Sequence, residues 1–258
     1  MTMSDIPAGP PRLEHADGRA TITLNRPVHH NRLHGEDLLA LQAHCRTLAA
    51  DASLRVVVLQ ATGPSFCAGF HLGELDADAA AGPQLFEQTV DAVEALPVPT
   101  VCRLQGGVFG GATDLALACD FRIGVHGMVL RMPAARIGLH YYPSGLRRYV
   151  SRLGVSAAKR LFLLAETLPA DELQRIGYLD RCVAAEHLDD EVRQIVDALL
   201  AGAPLALRGM KSSLDEIARG EYDLQRLRAR EAACAASEDL REGQAALAQK
   251  RSPEFKGR

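Results

Sequence analysis

Polar and apolar positions alternate over RATITLN (residues 19–25), the two-residue period of a half-buried strand, and the run stops at Pro27. In GEDLLALQAHCRTLAAD (35–51) the leucines recur at helical spacing instead. LRVVVLQAT (54–62) is a continuous apolar run of strand length, and the small residues of GPSFCAG after it mark a loop. PQLFEQTVDAVEALPVP (83–99) is helical as far as its prolines, and TVCRLQG (100–106) is a buried strand. FRIGV (121–125) and MVLRMP (128–133) are further short strands. From about residue 144 the period changes, and SAAKRLFLLAE, PADELQRIG, DDEVRQIVDALLAG and the 221–250 segment all have helical spacing. Strands alternating with helices, followed by helices alone, predict an α/β core with a helical C-terminal region. No repeat of about 20–50 residues points to a solenoid. The alanine-rich 228–249 segment has enough apolar residues to pack on its own domain or on another subunit.

Composition narrows the classes. With 258 residues, 47 % of them hydrophobic, the chain can bury the core of one large domain or two modest ones. A net charge of −3 gives no general attraction to nucleic acid or to an anionic membrane, so neither is expected as a partner. The six cysteines are scattered without a CxxC pair, which suits buried free thiols in a reducing compartment. The chain opens without a basic-then-apolar leader, and no apolar stretch approaches the roughly 20 residues of a membrane helix. A cytoplasmic location is therefore expected. His29 and His30 suit an exposed loop, and with no third ligand at a metal spacing no metal site is expected. Arg147 and Arg148 near the start of a helix suit a solvated face.

The candidate chemistry lies in GGVFGGATDLALACD (106–120), where four glycines fall within six residues just before an apolar helix. Glycine lets a ligand or another backbone approach closely. The first N–H groups of a helix lack partners within it and carry the positive end of its dipole. Strand, glycine turn and helix together make a backbone anion site. Phosphate is one candidate anion, although GxGxxG and the Walker pattern are both absent. A developing oxyanion is the other. Asp114, nearly one turn after Gly111, would place an acid or base beside the donor, and SFCAGFHLGEL (65–75) is a second small-residue loop able to supply a second donor.

Together these stretches resemble the crotonase (enoyl-CoA hydratase/isomerase) superfamily. FCAGFHL resembles its F-x-A-G-x-D-L loop, and GGVFGGATDLALACDFRI resembles its N-G-x-x-x-G-G-G-x-E-L-A-L-x-C-D-x-R-I. TITLNRPVHHNRL, GAPLALRGMKSSL and the closing SEDLREGQAALAQKRSPEFKGR resemble further family segments, so the likeness runs from about residue 18 to the end. It implies an α/β fold, a crotonase-like ββα spiral core over 1–195 and a helical C-terminal trimerisation region over 196–258. It implies an acyl-CoA thioester as substrate, coenzyme A arriving as part of it with no other cofactor, a place in fatty acid metabolism, and a homotrimer or dimer of trimers. The oxyanion hole would be the N–H groups of Phe70 and Gly111, holding a thioester enolate. CoA would run along Ala68 and Leu72, with Arg26 near its phosphates and Lys250 and Phe255 reaching the nucleotide.

The sequence also departs from that pattern. The family's first glutamate position is Asp114 here, shorter by one C–C bond of about 1.5 Å. The second aligns with Ala134, which cannot do acid–base chemistry. His71 stands at the family's aspartate, and His140, Tyr141 and Tyr142 stand where a proline–glycine turn usually faces the acyl pocket. The resemblance leads us to expect an enzyme of the hydratase/isomerase type with Asp114 as acid/base, helped by Tyr141, Tyr142 or His140. Two other readings stay open: a malonyl-type decarboxylase using Tyr141, and a CoA-ester-binding protein that has lost hydratase activity.

Overall fold

The computed structural model describes residues 7–71, 73 and 81–258. The apolar run at 54–62 forms β3 (Val56–Ala61), buried except at Gln60. It lies inside a six-stranded sheet ordered β1-β2-β3-β4-β6-β9. The partners are β1 (Gly9–Ala16), β2 (Arg19–Asn25), β4 (Thr100–Leu104), β6 (Phe121–Val125) and β9 (Arg181–Val183). β1 pairs antiparallel with β2, and every other pairing is parallel. Parallel strands are covered on both faces, which explains why β3 and β4 are continuous apolar runs rather than alternating ones. A second sheet of three strands is ordered β5-β7-β8, formed by β5 (Val108–Phe109), β7 (Val129–Arg131) and β8 (Thr167–Pro169).

The chain visits the two sheets in turn. β4 in the large sheet leads to β5 in the small one and then to helix α3 (Ala112–Leu117). β6, β7 and α4 (Pro143–Lys159) repeat the pattern. Earlier in the chain, β2 leads through Leu33 to α1 (Gly35–Ala49), and β3 leads through Cys67 to α2 (Ala81–Glu94). Leu33 forms an isolated parallel bridge with Phe70, and Cys67 one with Val108, so each passage lies as a rung against the next.

Some expectations need correction. Two strands, β8 and β9, fall in the region expected to be helical throughout. Each is three residues long, too short to show a period of two. β1 carries two prolines and is half exposed, as an edge strand permits, so no apolar run announced it. The 221–250 segment is two helices, α8 (Leu224–Ala236) and α9 (Glu238–Gln249). They break at Ser237, whose hydroxyl accepts from the Leu240 N–H at 3.0 Å as a helix cap. The helix α6 (Leu188–Leu200) buries Leu188, Val192 and Val196 at helical spacing. After α5 (Ala170–Arg175) and α6, the helix α7 (Pro204–Arg219) begins the purely helical end. No helix among the described residues is long and apolar enough to cross a membrane. The six cysteines are unpaired thiols, four of them buried.

Candidate active site

The rungs bring the two glycine-rich loops together. The N–H groups of Phe66 and Cys67 donate to Gly107 O, and the Phe109 N–H donates to Cys67 O at 3.0 Å. On the other side, the Leu33 N–H donates to Gly69 O and the His71 N–H to Leu33 O, both at 2.8 Å. Gly69 is pinned between these ladders with φ +91°; a Cβ there would lie 2.7 Å from Phe109 O and 3.3 Å from Gly111 N. Only glycine meets both demands. Among the described residues, no acceptor takes the N–H of Phe70 or of Gly111. Both residues line one cavity of about 210 Å³. α3 has only six residues. Its dipole is correspondingly small, so the site rests on two individual donors rather than on a helix terminus.

The rest of that cavity is apolar and aromatic. Phe86, Met132, Ala134, Leu139 and the rings of Tyr141 and Tyr142 line it. The two tyrosine rings stack with centroids 4.2 Å apart, and Phe86 lies 6.2 Å from Tyr142. Ala134, 4 % exposed, contributes only a methyl group to the wall. Gly145 allows the stack, because a Cβ there would sit 2.7 Å from the Tyr142 ring and 2.8 Å from Asp114 Oδ2.

Asp114 lies behind the tyrosines and is absent from the described residues lining the cavity. Its side chain has no exposed surface. The Tyr142 hydroxyl donates to Asp114 Oδ2 at 2.6 Å, and the Tyr141 hydroxyl donates to that of Tyr142 at 3.0 Å. Arg148 Nη1 also donates to Oδ2 at 2.6 Å. Oδ1 is buried with no hydrogen-bond partner among the described residues. Burial pushes the Asp114 carboxyl up, while the Arg148 charge and the Tyr142 hydroxyl pull against that rise. Burial would lower Arg148, but Asp114 and Glu94 outweigh it and hold the guanidinium charged. Burial raises both tyrosines well above the ordinary phenol value, and the Asp114 charge adds to it, so both stay protonated.

Arg148 corrects an expectation. It is fully buried and not part of a solvated face, donating through Nε to Glu94 Oε1 at 2.8 Å and through Nη2 to Asp91 Oδ1 at 2.7 Å. Arg147, half-buried, pairs with Glu94 at 2.8 Å. The helical period carried the missing signal: Gly145, Arg148 and Tyr149 share the buried stripe of α4 at i, i+3 and i+4. Phe86 on α2 was also missed, since nothing local distinguishes a ring that packs from one that lines a pocket.

The remaining candidates scatter. Ala68 and His140 line the cavity with Phe70, and His140 Nδ1 lies 2.8 Å from Tyr141 O at an exposed rim. The His71 ring packs 4.8 Å from that of His34. Leu72 lies outside the described residues. Arg26 is bound by Asp37 at 2.9 Å and by Glu36, so its charge is already matched. Lys250 closes α9 with a left-handed φ of 54°, and Phe255 packs near Gly243, about which the described chain forms a second, apolar hollow. His29 and His30 are exposed. No group of three metal-binding side chains occurs among the described residues. A larger cavity of about 710 Å³ is lined by Glu87, Asp91, Glu94, Asp215 and Glu216. Arg147, Arg219 and Arg230 line it as well, and Arg147 and Arg230 pair with Glu94 and Glu216.

Comparison with known proteins points the same way. The family model described as enoyl-CoA hydratase/isomerase matches residues 14–258. The 2,3-dehydroadipyl-CoA hydratase of Escherichia coli is 30 % identical over 247 residues, covering 92 % of this chain and 94 % of that protein. The crotonyl-CoA hydratase of Syntrophomonas wolfei is 28 % identical over 252 residues, covering 94 % and 96 %. A crystal structure of an enoyl-CoA hydratase from Bacillus anthracis matches with a TM-score of 0.90 at 27 % identity, covering 97 % of this chain and all of that one.

Proposed function

Since the chain belongs to the enoyl-CoA hydratase/isomerase family, with the crotonase fold its motifs led us to expect, we propose that it binds an acyl-CoA thioester with the carbonyl oxygen between the N–H groups of Phe70 and Gly111. It is an acyl-CoA enzyme of the hydratase/isomerase type, and the reaction we assign is hydration or double-bond shift at C2–C3 of an enoyl group. The observation that carries this is the pair of donors with no acceptor among the described residues, on two residues that line one apolar cavity. As charge moves onto the thioester oxygen, donors already in place stabilise the enolate; one such donor is worth on the order of 10²–10³ in rate. The apolar wall excludes water that would compete for those donors.

Coenzyme A enters as part of the substrate, along the loop of Ala68, and the reading needs no further cofactor. Lys250 and Phe255 are assigned to the nucleotide end, and the helical region after α6 to contacts between three copies. The exposed Met210, Leu214 and Ile217 at i, i+4 and i+7 of α7 support that packing. The decarboxylase reading is not favoured, since the matching family model is described as enoyl-CoA hydratase/isomerase and the relatives compared above are hydratases of CoA esters.

The test is mass spectrometry of the purified protein with 2-enoyl-, 3-enoyl-, 3-hydroxyacyl- and malonyl-type CoA esters, with chromatography to separate isomers. Gain or loss of one water, or a shifted double bond, is expected. Loss of carbon dioxide from the malonyl ester, or tight binding without turnover, would overturn the assignment.

A further inference from the structure

The only carboxylate on α3 cannot touch substrate, because it is fully buried behind a phenol. The hydrogen-bond directions follow from chemistry. An ionised carboxylate only accepts, so Tyr142 must donate to Asp114 Oδ2. Its single proton being used, Tyr142 can only accept from Tyr141. The Tyr141 oxygen keeps its acceptor lone pairs free of these two bonds, and Tyr141 lines a space of about 210 Å³ together with Phe70 and Gly111. Arg148, anchored by Glu94 and Asp91, holds Oδ2 in place from behind. The Tyr142 hydroxyl occupies the gap left by a side chain one bond shorter than glutamate.

We propose that Tyr141 is the catalytic residue that exchanges a proton with the substrate, and that Tyr142 and Asp114 carry that proton in relay while Arg148 positions its end. The inference rests on the thioester reading above. In one direction the α C–H bond of the thioester breaks, and its electron pair moves through C–C to the carbonyl oxygen, held by Phe70 and Gly111. The proton joins Tyr141 oxygen as the Tyr141 O–H passes to Tyr142 and the Tyr142 O–H passes to Asp114 Oδ2. The reverse shift returns a proton to carbon, so no outside acid or base is consumed. One relay thus does the work for which Ala134 offers no second group, and it serves acyl groups compact enough for the stacked phenols to reach their α-carbon.

The experiment uses butyryl-CoA, a saturated ester that can exchange its α-protons without going on to product. Binding is measured by calorimetry, and exchange into D2O by mass spectrometry, for the intact protein and for Tyr142→Phe, Tyr141→Phe and the double variant. Wild type is expected to bind and exchange. Each single variant should bind equally well and lose about 10²–10⁴ in exchange rate, the range of a general acid–base group. The double variant should be no slower than either single, since all break one path. In wild type, the rate against D2O fraction should curve, as several protons move at once. A merely structural role for the hydroxyls would move none of these last two. Undiminished exchange in Tyr142→Phe, multiplied losses in the double variant, or binding without exchange in wild type would overturn the relay and leave CoA-ester binding intact. No binding at all would overturn the thioester reading and the relay with it.

Discussion

Arg148 and Asp114 meet through Nη1 and Oδ2 at 2.6 Å with neither side chain exposed. The same guanidinium serves Glu94 and Asp91, so one cation on α4 ties α2 to α3. Desolvating such charges is costly, and removing one partner strands the others. Arg148→Met should therefore destabilise the protein by about 3–5 kcal/mol, measured by urea unfolding. A loss below about 1 kcal/mol would show that water or protonation replaces the guanidinium readily.

Glu94 sets an acid limit. Burial would raise its carboxyl, but bonds from Arg148 and Arg147 outweigh that and bring it down to about 2 from 4.5. A depressed carboxyl stabilises the fold above its unfolded value, and that stability is lost as pH falls from about 4.5 through about 2. The shift is worth roughly 3 kcal/mol. Asp114, held above its ordinary value by burial, acts with the opposite sign, its contribution fading as pH rises above 3.8. Glu94→Gln should flatten the slope of stability against pH between about 4.5 and 2. If variant and wild type keep parallel curves there, Glu94 is not the group responsible.

The left-handed Gly69 positions the Phe70 donor. Gly69→Ala forces a Cβ to 2.7 Å from Phe109 O at φ +91°. The loop must move away from Gly111, separating the two N–H groups. The expected result is a fall of about 10²–10³ in kcat, as for loss of one oxyanion donor, with a smaller change in KM. Unchanged kcat would place the thioester oxygen elsewhere.

Gly145→Ala tests the tyrosine stack without replacing a polar side chain. Its Cβ would press on both rings and on Asp114 Oδ2. Overpacking of this kind costs about 1–3 kcal/mol. Turnover should fall about tenfold or more while calorimetric CoA-ester affinity holds. Full activity beside a normal unfolding curve would show that the rings have room to shift.

Much of this was legible in the residues. β3, β4 and β6 lie within a residue or two of where apolar runs placed them, since parallel strands covered on both faces leave an unbroken signal, and β2 lies where alternation placed it. The glycine motif led to the Gly111 turn, and Tyr141, Tyr142 and Ala134 do line one cavity with Phe70. What stayed hidden depends on partners distant in sequence. Arg148 looks solvated until α2 supplies Asp91 and Glu94, more than 50 positions away. Asp114 looks like a group that faces substrate until Tyr142, 28 positions on, is seen to cover it. β8 and β9 exist only because β7 and β6 offer them an edge.

The rung joining Cys67 to Val108 has one more consequence. The spacing of the two N–H groups is a property of the coil's pitch, written in main-chain atoms that every amino acid shares. Replacing Asp114 or Ala134 leaves that spacing where it is. The scaffold therefore separates two things: the placement of two main-chain donors, set by the ladder, and the side chains around them, which can be exchanged without rewriting it.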